Sequence, residues 1–307
     1  MLMELRQLEY LVAVVEEASF TKAAAKLHVA QSGVSAQVRQ LEREFGQRLL
    51  DRSGRTVRPT RAGEAVLPYA IAALDAVAGA RFSVDELTGL LRGRVVMGMV
   101  STWHPLGLPP LLAAFHRAHP GVEITLSEAT SDHLLEALHQ GRVDAAIIAV
   151  LPRSATPPGI TTHVVADQPL VAAVALDDEL ASADSVALAE LRDRSLMSLP
   201  RGTGLRARLD QACAEVNITP RIAFETGNPW ALAELAAEGL GVAILPYALA
   251  AHHPGRLHLL PIRRPEIRAQ LALAWREGKP LNPAARALIT HLKNGLPTEA
   301  AASRPPH

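Results

Sequence analysis

The 307-residue chain is longer than one typical domain, so two or more folding units are expected. Hydrophobic residues make up 49% and charged residues 20%, as in an ordinary protein with large cores, and no apolar run approaches the roughly 20 residues that span a bilayer. The lone Cys213 excludes an intrachain disulfide and a cysteine metal cluster, while a net charge of zero conceals an asymmetry: residues 20–61 carry a net +6 and the remainder −6. Cys213 follows Leu209 on a helical pattern and reads as a small core residue. The twelve histidines lack metal-ligand spacing, and His252-His253 before Pro254 reads as solvated surface. The chain opens directly on an amphipathic helix instead of a signal peptide, so the cytoplasm is the expected compartment and no membrane is implied.

In chain order, Leu5, Leu8, Val12 and Val15 mark a first helix. A second begins near Thr21 as N-cap and runs through three alanines to Leu27. After a short link, a third starts at Gln31 or Ser32, turns Val34, Val38 and Leu41 inward, and stops at Phe45 before Gly46. Two helices across a tight link form the pattern of a helix-turn-helix. Ser32, Ser35, Gln37 and Arg39 occupy the polar face of the third helix, which either reads base edges or is simply solvated. Residues 48–60 read as two short strands around Ser53-Gly54, with Arg55 at the tip, which is the form of a wing.

Residues 4–63 resemble the LysR-type winged helix through Leu5-Arg6-Gln7-Leu8, Ser19-Phe20-Thr21-Lys22-Ala23-Ala24, Val29-Ala30-Gln31-Ser32, Arg39-Gln40-Leu41-Glu42 and Leu50-Asp51-Arg52. The resemblance implies a DNA-binding domain over 4–61. Gln31, Ser32, Gly33, Ser35 and Ala36 would line the start of the recognition helix, with Arg55 at the wing tip and Thr21, Gln37 and Arg39 completing the DNA-binding set. Many members of the family carry a longer polar residue where this chain has Ala36.

Residues 62–89 read as one long linker helix capped by Thr60. Val66, Ala70, Ala73, Val77, Ala80, Val84 and Leu87 recur in steps of four and three, the spacing of a dimerisation seam. The alternative is a helix packed on its own domain. A dimer or tetramer would set two recognition helices on a two-fold DNA site.

From 91 to 295 strands and helices alternate. Strands are expected at 95–100, 122–128, 143–148, 170–175, 195–199, 221–226, 241–245 and 269–275, and helices at 106–118, 132–140, 186–191, 204–215, 229–238 and 283–293. Ala118-His119-Pro120-Gly121-Val122, Gly141-Arg142-Val143-Asp144 and Gly239-Leu240-Gly241-Val242 are similar to the LysR-type effector domain, itself similar to periplasmic binding proteins. That resemblance implies an α/β body with lobe I at 91–162 and 268–295 and lobe II at 163–267; residues 296–307 read as a disordered tail. It also implies a small-molecule effector in the cleft between the lobes, and the hydroxyls of Ser101 and Thr102 with free helix N–H groups suit a carboxylate or other anion. Ser101, Thr102 and Trp103, with His104 beside them, stand at positions where the family contacts its effector. Thr203 in Arg201-Gly202-Thr203-Gly204, and Thr226 and Asn228 in Thr226-Gly227-Asn228, join them from lobe II. Each of these motifs also reads as a helix cap or turn.

No Gly-x-Ser-x-Gly, phosphate-loop or His-Glu-x-x-His motif occurs, and Glu128 with Asp144 forms no convincing acid/base pair, so an enzyme is not expected. No cofactor is expected either. A free-standing solute-binding protein would need export and would not need the basic head. The reading is a LysR-type transcriptional regulator whose partners are double-stranded DNA, an effector, a second copy of itself and, as a candidate, RNA polymerase.

Overall fold

The computed structural model describes residues 3–54, 56–87, 91–103, 106–151, 157–277 and 282–296. In the head, α1 (Leu5–Glu17), α2 (Phe20–Lys26) and α3 (Gln31–Phe45) turn their apolar stripes onto one core. Leu11, Val14, Ala23, Val34, Val38 and Leu41 lie fully buried there. Gly46 closes α3 in the left-handed conformation, φ +65°, as its position predicts. The cap of α2 is Ser19 and not Thr21. Ser19 has extended backbone and its Oγ accepts the Lys22 amide at 3.3 Å, which leaves Thr21 exposed inside the first turn.

Strands β1 (Leu50–Asp51) and β2 (Arg58–Pro59) pair antiparallel as the base of the wing; Arg55 lies outside the described residues. Glu42 anchors this base to α3. One carboxylate oxygen accepts the amides of Leu49 and Leu50 at 3.0 and 3.1 Å, and the other meets Arg52 at 2.7 Å. Arg52 also covers the Phe20 ring. The Glu42 and Arg52 of the two family-like motifs are thus partners in space. Thr60 then opens α4 (Arg61–Leu87), its Oγ accepting the Gly63 amide at 3.1 Å.

The first half of α4 packs on its own domain. Ala70 is 1% exposed in the head core, with Val66 and Ala73 against its edge. These three residues therefore satisfy their apolar demand within the chain, a correction to the expected seam. Val77 and Ala80 are exposed, as is Tyr69 at 79%. The side chains of Val84 and Leu87 lie outside the described set.

In lobe I, β3 (Arg92–Met99), β4 (Gly121–Glu128) and β5 (Ala145–Val150) run parallel, with α5 (Leu108–Ala118) and α6 (Ser131–His139) as crossovers. Next comes β6 (Ile160–Ala175), one continuous 16-residue strand where only its second part was expected. In lobe II, its distal half pairs antiparallel with β10 (Val242–Pro246) and β11 (Leu257–Arg263), and β8 (Leu196–Ser198) lies parallel between β10 and β9 (Ile222–Glu225). Helices α7 (Gly204–Glu215) and α8 (Pro229–Ala237) cover this sheet, followed by the short α9 (Tyr247–Ala250). The helix expected at 186–191 is instead the two-residue strand β7 (Val186–Ala187) with a 3-10 turn behind it. Strand β12 (Arg268–Arg276) returns along β6 and β5, and α10 (Pro283–Gly295) closes lobe I.

The two lobes have separate cores. Ala166 and Leu271 belong to the first, Leu170 and Ile267 to the second, so the outward crossing falls at 167–169, later than the expected 162. No helix among the described residues is long and apolar enough to cross a membrane.

Candidate functional site

Two surfaces come out of this architecture. The first is the outer face of α3. Gln31, Ser32, Gly33, Ala36 and Arg39 are exposed and Ser35 is half-buried, because Val34, Val38 and Leu41 fix the opposite face inward. Thr21 is exposed on the neighbouring α2. Gln37 departs from the expected set: its Oε1 accepts from Nε2 of the fully buried Gln7 at 3.3 Å, so it ties α3 to α1. Further along the same helix, Ala36, Arg39 and Arg43 line an open concavity with Arg48, a cluster of positive charge suited to phosphate. Arg43 and Arg48 stood in the charge count but not among the expected contacts, since an arginine near a helix end is also ordinary C-terminal capping.

Gly33 has open space around it. A Cβ built there meets nothing within 4 Å, and its backbone is right-handed helix that any residue adopts. Packing within the chain does not require the glycine.

The second surface is the inter-lobe cleft, a half-open volume of about 270 Å³. Lobe I lines it with Ser101 and Thr102 after β3 and with Thr130 and Ser131 at the start of α6; lobe II brings Thr203 and the first turn of α7. Strand ends and helix N-termini converge here because crossover helices in a parallel sheet all begin at the same edge. Of the expected effector residues, Ser101, Thr102 and Thr203 line the cleft. Thr203 also donates from Oγ1 to the Pro200 carbonyl at 2.7 Å, a turn bond. Trp103 packs against the lobe I core, and Asn228 caps α8 by accepting the Trp230 amide at 3.0 Å. Thr226 accepts the Asn228 amide, and only Gly227 of that motif reaches the cleft. His104 lies outside the described residues.

Sequence reading missed Thr130 and Ser131. Ser131 is buried and its Oγ accepts the Ala149 amide at 3.0 Å, which joins α6 to β5 at the cleft wall. The Thr-Ser-Asp triplet ahead of an apolar helix was a usable cap signal. Gly204 lies tightly against lobe I: a Cβ there would lie 2.5 Å from the Ala149 Cβ. Asp144 bridges strands, accepting the Val96 amide at 2.8 Å. His253 corrects the surface reading of 252–253, since its side chain is buried beside Trp230, with Nε2 3.3 Å from Glu234. Among the described residues no cluster of three His, Cys, Asp or Glu side chains could hold a metal ion.

Both parts of the chain match known protein families. Residues 5–64 match the bacterial regulatory helix-turn-helix protein, lysR family, and residues 88–297 match the LysR substrate binding domain. The HTH-type transcriptional regulator ShiR of Corynebacterium glutamicum (strain R) is 32% identical over 279 residues, covering 90% of this chain and 94% of that protein. A hydrogen peroxide-inducible genes activator of Dickeya chrysanthemi is 31% identical over 281 residues, covering 91% of each. Among solved structures, a full-length OxyR variant from Pseudomonas aeruginosa matches with a TM-score of 0.77 at 27% identity, over 97% of this chain and 99% of that one. Full-length CbnR complexed with its target DNA matches at 0.63 and 27%, over 95% and 100%. The effector binding domain of QuiR in complex with shikimate matches at 0.58 and 25%, over 66% and 97%. The chain belongs to the LysR family and is a DNA-binding transcriptional regulator with a C-terminal effector-binding domain.

Proposed function

We propose that the exposed start of α3, through Gln31, Ser32, Gly33, Ser35, Ala36 and Arg39, enters the major groove while Thr21 and Arg55 engage the flanking backbone and minor groove. The observation that carries this is an exposed polar helix face with no packing role, continuous with the Arg39, Arg43 and Arg48 cluster. Arg55→Ala should weaken operator binding in a gel shift and lower its salt dependence by about one unit of log–log slope. Unchanged affinity and slope would overturn the wing assignment.

The regulator works as a homodimer or tetramer in the bacterial cytoplasm. Val77 and Ala80, exposed on the second half of α4, and Tyr69, exposed on the first, support pairing along the helix. Seated at a promoter, it has RNA polymerase as its natural neighbour. The effector is a small carboxylate in the inter-lobe cleft, and its binding changes the spacing of the heads or the bend of the DNA. Support comes from the hydroxyl lining of the cleft, and the QuiR domain is a relative solved with a hydroxylated carboxylate. Ser101→Ala with Thr102→Ala should abolish the ligand response and spare DNA binding; a retained response would move the effector site.

Peroxide sensing by a thiol is disfavoured. Cys213 is the only cysteine, it is buried on α7, and burial pushes its thiol up to about 11, so little thiolate forms at neutral pH.

A further inference from the structure

Helix α4 is shared between two bodies at a single turn. Leu67, Ala70 and Leu74 pack into the core of the head, where Val34, Val38 and Leu41 of α3 also lie. Ile71 meets lobe I: a Cβ built on Gly141 would lie 3.0 Å from its Cγ2. Consecutive residues of one helix, Ala70 and Ile71, thus touch the DNA-binding head and the effector-binding body. Lobe I is stiff at this contact. Gly141 follows α6 in the left-handed conformation, φ +70°. Its amide donates to the Leu138 carbonyl at 3.1 Å, and the Arg142 amide donates to the Ala137 carbonyl at 2.9 Å, the two bonds of a Schellman turn. The turn therefore continues α6 and moves with it. Arg276, at the end of β12, closes the other side, with a terminal nitrogen 3.2 Å from the same Cβ position.

At its other end α6 forms a wall of the cleft. Ser131 Oγ accepts the Ala149 amide at 3.0 Å, and Gly204 of lobe II sits tightly on the Ala149 methyl. Between its ends α6 cannot sink toward the sheet. A Cβ on Gly98 of β3 would lie 2.3 Å from Leu134 Cδ2, so the buried side chain of Leu134 already rests on strand backbone. A close-packed interior transmits strain instead of absorbing it. A displacement imposed at Ser131 is therefore passed along α6, a rod of about 14 Å, to the Gly141 turn.

Resting on the cleft as the place where the effector acts, we propose that α6 carries the state of the cleft to the DNA-binding head, entering at Ser131 and leaving through the Gly141 turn onto Ile71. A change in how lobe II sits on Ala149 shifts α6, and the Gly141 turn shifts against Ile71. The neighbouring Ala70 then hands the shift to the core that supports α3. Ser131, Gly141 and Ile71 are positioning residues, since they change DNA affinity from outside the exposed face of α3.

The test is a double-variant cycle on the full-length protein, read by fluorescence anisotropy on a promoter fragment that the natural protein binds. Ser131→Ala cuts the cleft end and Ile71→Ala the head end. The affinity of the double variant should depart from the product of the two single effects by about threefold or more. Ala149→Gly keeps the bond to Ser131 and removes the methyl under Gly204, so it is a milder cut at the same end and should couple to Ile71→Ala in the same sense. Phe115→Leu weakens the lobe I core from α5 and should combine with Ile71→Ala multiplicatively. In hydrogen exchange, Ser131→Ala should speed the α4 amides around Ile71 about threefold or more, and Phe115→Leu should not. Multiplicative cycles for both cleft-end variants, an equal departure for Phe115→Leu, or unchanged exchange at α4 overturns the proposal. No ligand enters these titrations, so the cleft reading fails separately. A ligand response lost in the Ser101→Ala, Thr102→Ala variant together with multiplicative cycles keeps the cleft and removes α6 as the route. A retained response together with coupled cycles moves the effector and keeps the route.

Discussion

Replacing Gly33 by alanine separates folding from DNA contact with one methyl group. In the free protein the change should be favourable: the added Cβ meets no atom within 4 Å, and the residue lies in the first turn of α3 with an ordinary helical backbone. Removing glycine's backbone freedom from the unfolded chain stabilises by about 0.4–1 kcal/mol at a compatible site. For a head of this size that is on the order of 2–8 °C in the head's melting transition. On DNA the same methyl occupies the face expected to lie closest to the bases. A lost close approach costs about 1–3 kcal/mol, the size of a mismatched base pair, or roughly 5- to 150-fold in affinity. Circular dichroism melts and fluorescence anisotropy on a promoter fragment read the two effects separately. A destabilised head would refute the packing argument. A stabilised head with undiminished affinity would refute the placement of this face against DNA.

Glu42→Ala should destabilise the head by about 2–4 kcal/mol, because the buried amides of Leu49 and Leu50 lose their acceptor and Arg52 its partner. Denaturant titration checks this, and Glu42→Gln, which keeps an acceptor oxygen, should recover about half. Gly204→Ala should wedge the lobes apart at Ala149 and weaken effector binding at least tenfold; adding Ala149→Gly should restore it, and a double variant no better than the single would rule out that contact. Cys213→Ala should cost about 1 kcal/mol of stability and leave any regulatory response to peroxide unchanged, whereas a response lost with the cysteine would reinstate thiol sensing.

What was legible in the sequence was whatever a single element declares by itself. Val34, Val38 and Leu41 followed by Gly46 bound α3 without reference to anything else. Gln37 could not be placed that way, because its role depends on Gln7 thirty residues earlier. Strand β6 read as shorter than it is because Asp167-Gln168-Pro169 interrupts the apolar pattern, and those are the residues that leave one core for the other. The start of the expected seam has a second role for a related reason. Val66, Ala70 and Ala73 have the right spacing, but spacing does not say which surface fills it, and here the head's own core does. In the cleft, Ser101 and Thr102 carried a local signal at a strand end, whereas the approach of Gly204 to Ala149 arises only once the two lobes are folded together.

The unbroken course of β6 through both lobes has a mechanical consequence. Two bodies joined by slack loops would swing freely, but here they share a strand that is hydrogen-bonded to β12 along its proximal half and to β10 and β11 along its distal half. Such a strand, paired on one side in lobe I and on both sides in lobe II, resists bending in the plane of its sheet and yields most easily by changing its twist. It therefore behaves as a torsion bar, and the easy relative motion of the lobes is a small rotation about its length. Amide protons along β6 should exchange with solvent at nearly the same slow rate with or without ligand, while those in the first turns of α6 and α7, which ride on the rotating bodies, record the change.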